Sequence, residues 1–186
     1  DCGNDAKFDI TGAISWTLWA RQTTKRFNDV VLSKGGMWGL RGLRETRDME
    51  VFLSGIGRFA TIGQPNGGAW SHYACVYDPD FNGRGDGRVS IYVDGVVDST
   101  YDAVGTINVN ARNLIIATDI NGSGFGTGAV DDVSIYNQAL TSAEVTSIFN
   151  GQEAVLHISQ TDGTTYVEEI NETSDTFSVS LTSAPS

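Results

Sequence analysis

The strongest candidate for binding chemistry in this sequence is a short basic cluster. Arg41, Arg44 and Arg47 stand three residues apart in a chain that carries 12 basic and 23 acidic side chains. The planar guanidinium group of arginine binds carboxylate or sulfate through two parallel hydrogen bonds. Trp38 precedes the cluster, just after a Gly-Gly turn, and an exposed indole ring can stack on the C–H face of a sugar. These four residues predict a site for an anionic polysaccharide, such as a uronate or a sulfated galactan.

Two acidic residues leave a second interpretation of the cluster open. Glu45 and Asp48 lie among the arginines and can neutralise them, which would make the segment a solvated loop with weak ion pairs. Trp19 is a further candidate ligand-binding residue, because strand alternation places it on the opposite face from Trp16. We therefore expect Trp19 and Trp38 to be exposed.

A second set of oxygen-bearing side chains lies in residues 78–86, with the sequence DPDFNGRGD. This segment repeats the D-x-D-x-[DN]-G opening of a calcium loop and has Asp86 at the ninth position. The twelfth position, which needs a bidentate Glu, is Val89. Asp, Asn and Gly are also the residues of hairpin turns. We favour a turn, and a second calcium site stays open.

The residue types needed for catalysis do not assemble into a recognisable pattern. Retaining glycosidases need two carboxylates about 5 Å apart. Asp48 and Glu50 share a strand face, but Glu45 is out of phase with them. The two histidines, His72 and His157, have no Ser or Cys partner in a known motif. We expect a non-catalytic domain; the alternative is a polysaccharide hydrolase or lyase with an unfamiliar set of residues.

Short alternating segments predict that strands position these residues. They are residues 15–21, 30–34, 38–41, 49–53, 58–62, 70–77, 89–93, 113–117 and 130–136. Asp94-Gly95 predicts a type I′ hairpin turn. One helix is predicted at residues 141–149, where Thr141 and Glu144 form a capping box. Many strands with one late helix indicate a two-sheet antiparallel sandwich.

Several of these segments resemble the laminin-G-like, concanavalin A-like jelly-roll family. Residues 14–20 are similar to the family's sISaWv strand, and residues 89–95 to its v-x-l-Y-v-[DN]-G hairpin. The most specific match is GAVDDVSIYNQALT at residues 128–141, which resembles the closing strand and helix start G-x-[IV]-D-[DE]-V-x-[IV]-Y-x-x-A-L-[ST]. The resemblance covers residues 8–149. It implies an all-β, two-sheet antiparallel jelly-roll sandwich with one short helix near residues 141–149.

The same resemblance implies roles for individual residues. Family members commonly hold one structural Ca²⁺ at the rim, and the match assigns its ligands to Asp131, Asp29 and Asn28. The alternative is that Asp131 is an ordinary strand-edge carboxylate. The resemblance also implies that Trp16 and Trp70 are core residues and that His72 forms a hydrogen bond at a strand end.

The composition changes near residue 150. Residues 151–186 carry six acidic and no basic side chains, with strand-like runs at 154–159, 165–170 and 176–181. We therefore divide the chain into a jelly-roll domain, residues 1–150, and a segment at 151–186 that is either a linker with partial strands of a following β-sandwich module or an extension of the first domain. The tail weakly resembles the opening of a Calx-β-type module.

Charge and cysteine content restrict partners and location. A formal charge of −11 disfavours nucleic acid, and there is no apolar run of the roughly 18 to 20 residues that insertion into a membrane needs. Cys2 and Cys75 allow either one disulfide or two thiols. The sequence begins with Asp1, so we expect a piece of a larger secreted or cell-surface protein, of bacterial type, whose other domains are partners.

These observations predict a lectin-like carbohydrate-binding or adhesion module for a polysaccharide or glycan, stabilised by calcium. A structural spacer or protein-adhesion domain is the further alternative, and it would show no sugar binding.

Overall fold

The computed structural model describes residues 1–22, 29–42, 48–61, 68–117, 128–151, 156–160 and 177–181. After a 3₁₀ turn at Ala6–Phe8, these residues form the following strands and helix, in chain order: β1 (Ile14–Gln22), β2 (Asp29–Lys34), β3 (Trp38–Gly42), β4 (Met49–Leu53), β5 (Gly57–Ala60), β6 (Ser71–Asp78), β7 (Arg88–Val93), β8 (Val96–Asp102), β9 (Leu114–Ile116), β10 (Gly128–Tyr136), α1 (Ser142–Phe149), β11 (Leu156–Gln160) and β12 (Phe177–Leu181).

Ten of these strands form two five-stranded sheets. Sheet A has the order β10-β1-β6-β7-β8, and sheet B has the order β5-β4-β3-β2-β9. Every pairing between neighbouring strands within the two sheets is antiparallel. The predicted two-sheet antiparallel jelly-roll sandwich is confirmed.

The hairpin turn between β7 and β8 forms as predicted, although β8 itself is not among the strands predicted from the sequence. Asp94 and Gly95 have φ values of 49° and 76°, which are the positive values that a type I′ turn requires. Strand β8 lies at the edge of sheet A and exposes two consecutive residues, Val96 and Val97. It therefore lacks the alternation of buried and exposed residues by which a half-buried strand is recognised. The register shift opposite Tyr92 disturbs the pattern further.

The core lies between the two sheets, and two tryptophans meet at its centre. Trp16 on β1 and Trp38 on β3 are both 0% exposed, and their rings stack with centroids 5.6 Å apart. The Nε1–H of Trp38 donates to the carbonyl oxygen of Phe8 at 3.3 Å. The expectation that Trp38 is exposed is therefore wrong. Side chains two residues apart on a strand point to the same side of the sheet. Trp38 therefore points inward together with the buried Leu40.

The predicted helix is confirmed, and it covers part of the outer face of sheet A. The side chain of Thr141 accepts from the backbone N–H of Glu144, and the side chain of Glu144 accepts from the backbone N–H of Thr141, which completes the capping box. Val145 and Leu140 form a second hydrophobic cluster with three residues of β6 and β7: Ala74, Val76 and Tyr92. The apolar stripe thus fixes α1 to sheet A.

A buried lysine ties the N-terminal segment to sheet B. The ammonium group of Lys34 is 0% exposed and lies 3.0 Å from a carboxylate oxygen of Asp9. It also donates to the side chain of Asn4 and to the carbonyl oxygen of Arg112. A buried cation needs such partners because it has lost its water.

The tail and the cysteines are described in part. Strands β11 and β12 pair antiparallel with each other, while the predicted run at residues 165–170 lies outside the described residues. The division at residue 150 stays a prediction.

Cys2 is exposed and Cys75 is buried, and both are free thiols; burial raises the pKa of the Cys75 thiol. Within the described ranges, no helix is long and apolar enough to cross a membrane.

Candidate binding faces

The predicted ligand-binding residues lie on two opposite faces of the sandwich. Trp19 is on the outer face of sheet A, because its neighbours Leu18 and Ala20 on β1 point into the core. Arg41 is on the outer face of sheet B, since Leu40 beside it is a core residue. Trp19 and Arg41 therefore cannot form one site with each other. Arg44 and Arg47 lie outside the described residues.

The outer face of sheet B carries one phenyl ring between two arginines. Phe52 on β4 is half-buried and pairs in register with Gly39 on β3 and with the exposed Arg58 on β5. A Cβ atom at Gly39 would lie only 2.7 Å from the Phe52 ring, so the ring packs over a backbone that only glycine provides. The Arg41 guanidinium carbon is 5.9 Å from the ring centroid. We call Arg41, Glu50, Phe52 and Arg58 the Phe52 face.

Arg41 is held in place by an acidic residue of the neighbouring strand. Its Nε–H donates to Oε1 of Glu50 at 2.7 Å, and Nη2 contacts the same oxygen. Both side chains are mostly buried, at 17% and 13% exposed. An acidic partner is thus present for Arg41, and it is Glu50 of the neighbouring strand, while Glu45 lies outside the described residues.

An open cavity of about 380 Å³ lies beside the Phe52 ring. Phe52, Arg58, Gly36 and the turn between β4 and β5 line it. Sequence reasoning missed both Phe52 and Arg58. The alternation of Met49, Val51 and Leu53 places Phe52 outside the core, but the sequence did not show that Arg58 pairs with it.

The outer face of sheet A holds a histidine among aromatic rings. His72 is 1% exposed and lies 5.4 Å from Trp19 and 5.8 Å from Phe149 between ring centroids. Burial lowers the pKa of His72 to about 4, although the carboxylates of Asp94 and Asp132 act in the opposite direction. Neither ring nitrogen has a hydrogen-bond partner in the described structure. The expected hydrogen bond at a strand end is made by the backbone: the N–H of His72, near the start of β6, donates to Oδ1 of Asp94 at 2.8 Å.

Further along this face the aromatic surface becomes exposed. Trp70 precedes β6 and is 41% exposed, and the guanidinium carbon of Arg21 lies 5.3 Å from its ring centroid. Arg21 follows Trp19 by two residues on β1, so both point outward. The expectation that Trp70 is a core residue is wrong, because the inward position falls on the buried Ser71. We call Trp19, Arg21 and Trp70 the Trp70 face.

The expected calcium ligands are described in part. Asp131 is exposed on β10, and its Oδ1 accepts from the backbone N–H of Asp132 at 3.0 Å. Gln22 at the end of β1 pairs with Gly128 at the start of β10. Only six residues separate Gln22 from Asp29, the first residue of β2, so Asp29 lies at the same end of the sandwich as the start of β10. Asn28 lies outside the described residues. Among those described, no group of three or more His, Cys, Asp or Glu side chains could hold a metal together.

The loop at residues 78–86 uses its oxygens to build turns. Oδ1 of Asp78 accepts from the backbone N–H of Asp80 at 3.0 Å, and Asp80 in turn accepts from Gly85. The amide of Asn82 donates to Asp86 at 2.7 Å. These contacts support the favoured turn interpretation.

A family model of laminin-G type, described as the concanavalin A-like lectin/glucanases superfamily, matches residues 2–146. The chain belongs to this family. No curated protein matches its sequence significantly. The laminin-G-like assignment made from residues 8–149 is confirmed.

Solved structures similar to this laminin-G-like chain share its fold at low identity. A Bacteroides ovatus protein proposed to bind carbohydrate is 16% identical, with a TM-score of 0.61 over 73% of this chain and 40% of its own. The binding domain of Paraclostridial Mosquitocidal Protein 1 is 12% identical, with a TM-score of 0.60 over 85% and 46%. The chain therefore spans less than half the length of these two proteins.

A third similar structure is a single domain of an enzyme. Domain 4 of AbnA, an extracellular arabinanase from Geobacillus stearothermophilus, was solved with arabinotriose and is 16% identical. Its TM-score is 0.56 over 76% of this chain and 68% of its own. At these identities the likeness shows the fold alone.

In this laminin-G-like chain, one acidic residue of the candidate catalytic segment is held in an ion pair. Glu50 binds the Arg41 guanidinium group, and Glu45 lies outside the described residues. His72 is enclosed by rings, which separates it from any solvent-borne substrate. What the described residues offer is two open faces suited to binding.

Proposed function

We propose that this chain is a non-catalytic, lectin-like carbohydrate-binding module and that the Phe52 face binds an anionic polysaccharide. The observation that carries the proposal is the placement of one half-exposed phenyl ring between two arginine side chains on an open sheet face. The ring packs over Gly39 rather than into the core, so it is available to a ligand from outside.

The chemistry of this face fits an acidic sugar chain. A phenyl ring provides an apolar surface for sugar C–H groups. The guanidinium group of the exposed Arg58 can form two parallel hydrogen bonds with a uronate or sulfate group. Arg41 adds a second cation whose orientation Glu50 fixes at 2.7 Å. The cavity of about 380 Å³ beside the ring gives one sugar unit a place to enter.

Calcium and location are further parts of the proposal. Asp131 presents an exposed carboxylate at a strand edge, and hard oxygen ligands of this kind suit Ca²⁺. We assign Asn28 and Asp29 as the other ligands, because the family pattern places them in this role and because Asp29 lies at the same end of the sandwich as the start of β10. The ion would hold β10 to the start of β2. A polysaccharide ligand fits a secreted or cell-surface protein with further domains.

Affinity electrophoresis tests the binding role. The protein is run through native gels that contain polygalacturonate or carrageenan, with Phe52→Ala and Arg58→Ala beside it. We expect wild type to be retarded in at least one of these gels and both variants to migrate almost as in an empty gel. The matched controls are Phe81→Ala and Arg84→Ala, which change an exposed phenyl and an exposed arginine of the 78–86 loop. Unretarded wild type, or retardation lost equally in the controls, would contradict the proposal.

A further inference from the structure

We propose that the Trp70 face is a second glycan-binding surface, separate from the Phe52 face, and that its ligand is a neutral polysaccharide. It extends the proposed function, because it assigns a different class of glycan to the opposite side of the sandwich. The two faces lie on the outer sides of sheets A and B, so one glycan unit cannot contact both.

The aromatic geometry of the face suits a sugar chain. Trp70 is 41% exposed, which leaves an indole surface open to solvent. Trp19 lies on the adjacent strand, where Phe149 stacks on it at 5.6 Å and His72 contacts it at 5.4 Å. These contacts hold Trp19 in one orientation before a ligand arrives. A rigid aromatic surface loses little conformational entropy on binding.

One arginine completes the polar part of the surface. Arg21 lies over the Trp70 ring at 5.3 Å, and its exposed end can donate hydrogen bonds to sugar hydroxyls. The guanidinium group of Arg21 already contacts the Trp70 ring before a ligand binds, so Arg21 does not have to change its position when the ligand arrives. The result is an indole with a hydrogen-bond donor over its ring, which pairs an apolar surface with a polar group, as a sugar pairs C–H groups with hydroxyl groups.

The charge around this face decides the class of ligand. Asp94 and Asp132 are both exposed and both close enough to His72 to influence its pKa. The two carboxylates lie near the Trp19 end of the face and oppose the single positive charge of Arg21. Carboxylates accept hydrogen bonds from hydroxyl groups but repel a polyanion. The Phe52 face has two arginines for one acid, whereas the Trp70 face has one arginine with these two carboxylates beside it, so the two surroundings differ in the sign of their net charge.

Affinity electrophoresis with neutral polysaccharides tests this assignment. The gels contain linear arabinan, galactomannan or β-1,3-glucan, and each is run with Ca²⁺ and with EGTA. We expect wild type to be retarded in at least one neutral gel, and Trp70→Ala to weaken the association there at least tenfold. Arg21→Ala should weaken it less. Phe52→Ala should bind within twofold of wild type in these gels, and Phe81→Ala provides a control for loss of an exposed ring.

The outcomes separate this inference from the proposed function. Retardation of wild type in anionic gels but in none of the neutral gels would overturn the inference and leave the proposed function standing. Retardation in neutral gels that Trp70→Ala leaves unchanged would also overturn it. Retardation in neutral gels alone, lost in Trp70→Ala, would support the inference and contradict the anionic ligand. Because Trp70 is exposed, its variant should fold, and a far-ultraviolet circular dichroism spectrum checks this.

Discussion

The indole rings of Trp16 and Trp38 stack across the interior of the sandwich at 5.6 Å, with an interplanar angle of 24°. One ring comes from the second strand of sheet A and the other from the central strand of sheet B. Their contact therefore joins the two sheets directly. Large aromatic side chains contribute more buried area than other residues, so this pair is central to the stability of the fold.

Replacing Trp38 should destabilise the protein severely. Trp38→Ala removes a fully buried indole and leaves a cavity against Trp16, which costs about 3–5 kcal/mol in such cases. Guanidinium denaturation followed by circular dichroism measures the loss. Trp70→Ala is the matched control, and we expect it to cost about 1 kcal/mol or less because that ring is 41% exposed. Equal losses in the two variants would contradict the assignment of Trp38 to the core.

Loss of the buried ammonium group should release the N-terminal segment. Lys34→Met leaves Asp9 and the carbonyl of Arg112 without their donor, and we expect a cost of about 2–4 kcal/mol. Hydrogen exchange should rise in residues 1–9 before it rises elsewhere. Lys7→Met is the control, since its ion pair with Asp5 is exposed and should contribute less than about 0.5 kcal/mol. Unchanged exchange in residues 1–9 of the Lys34 variant would be inconsistent with this role.

His72 should make stability depend on pH. Its pKa is about 4 in the folded protein against 6.5 ordinarily, so the unfolded chain binds the proton more readily between these values. Its contribution is complete above about pH 6.5 and is lost as the pH falls towards 4. We expect about 2–3 kcal/mol to be lost in wild type over this range and retained in His72→Phe.

The measurement is the difference in unfolding free energy between wild type and His72→Phe from pH 7.5 to 4. Carboxylates that titrate in both proteins cancel in this difference. His157→Phe, which removes the other histidine of the chain, should follow wild type. A difference that does not change with pH would show that His72 is not buried in its neutral form.

Calcium should raise the melting temperature if Asp131 is a ligand. An ion that binds only the folded state at 100 times its dissociation constant adds about 2.7 kcal/mol of stability. Differential scanning fluorimetry with excess Ca²⁺ and with EGTA should therefore differ by several degrees, and Asp131→Asn should abolish the difference. Asp86→Asn serves as the control in the 78–86 loop. Equal melting temperatures in Ca²⁺ and EGTA would refute the calcium assignment.

The features that the sequence predicted correctly depend on local patterns. The capping box at Thr141 and the type I′ turn at Asp94-Gly95 each involve neighbouring residues. The fold followed from these elements and from the motif at residues 128–141, which occupies the edge strand of sheet A.

The site was harder to predict because it depends on which strands pair. The alternation of Trp38 with Leu40 predicts a core position, whereas the preceding Gly-Gly turn predicts an exposed one, and the structure follows the alternation. The separation of Trp19 from Arg41 depends on the assignment of β1 and β3 to different sheets, which no local pattern shows. Arg58 joins Phe52 only through the pairing of β4 with β5.

Chemical-shift mapping by NMR tests the central claim most directly. Isotope-labelled protein is titrated with galacturonate oligomers and, separately, with carrageenan oligomers. We expect one of the two to shift the backbone amides of Phe52, Gly55 and Arg58, and to leave those of Trp70 and Arg21 nearly unchanged. Absence of shifts with both oligomers, or shifts confined to sheet A, would contradict binding of an anionic glycan at the Phe52 face.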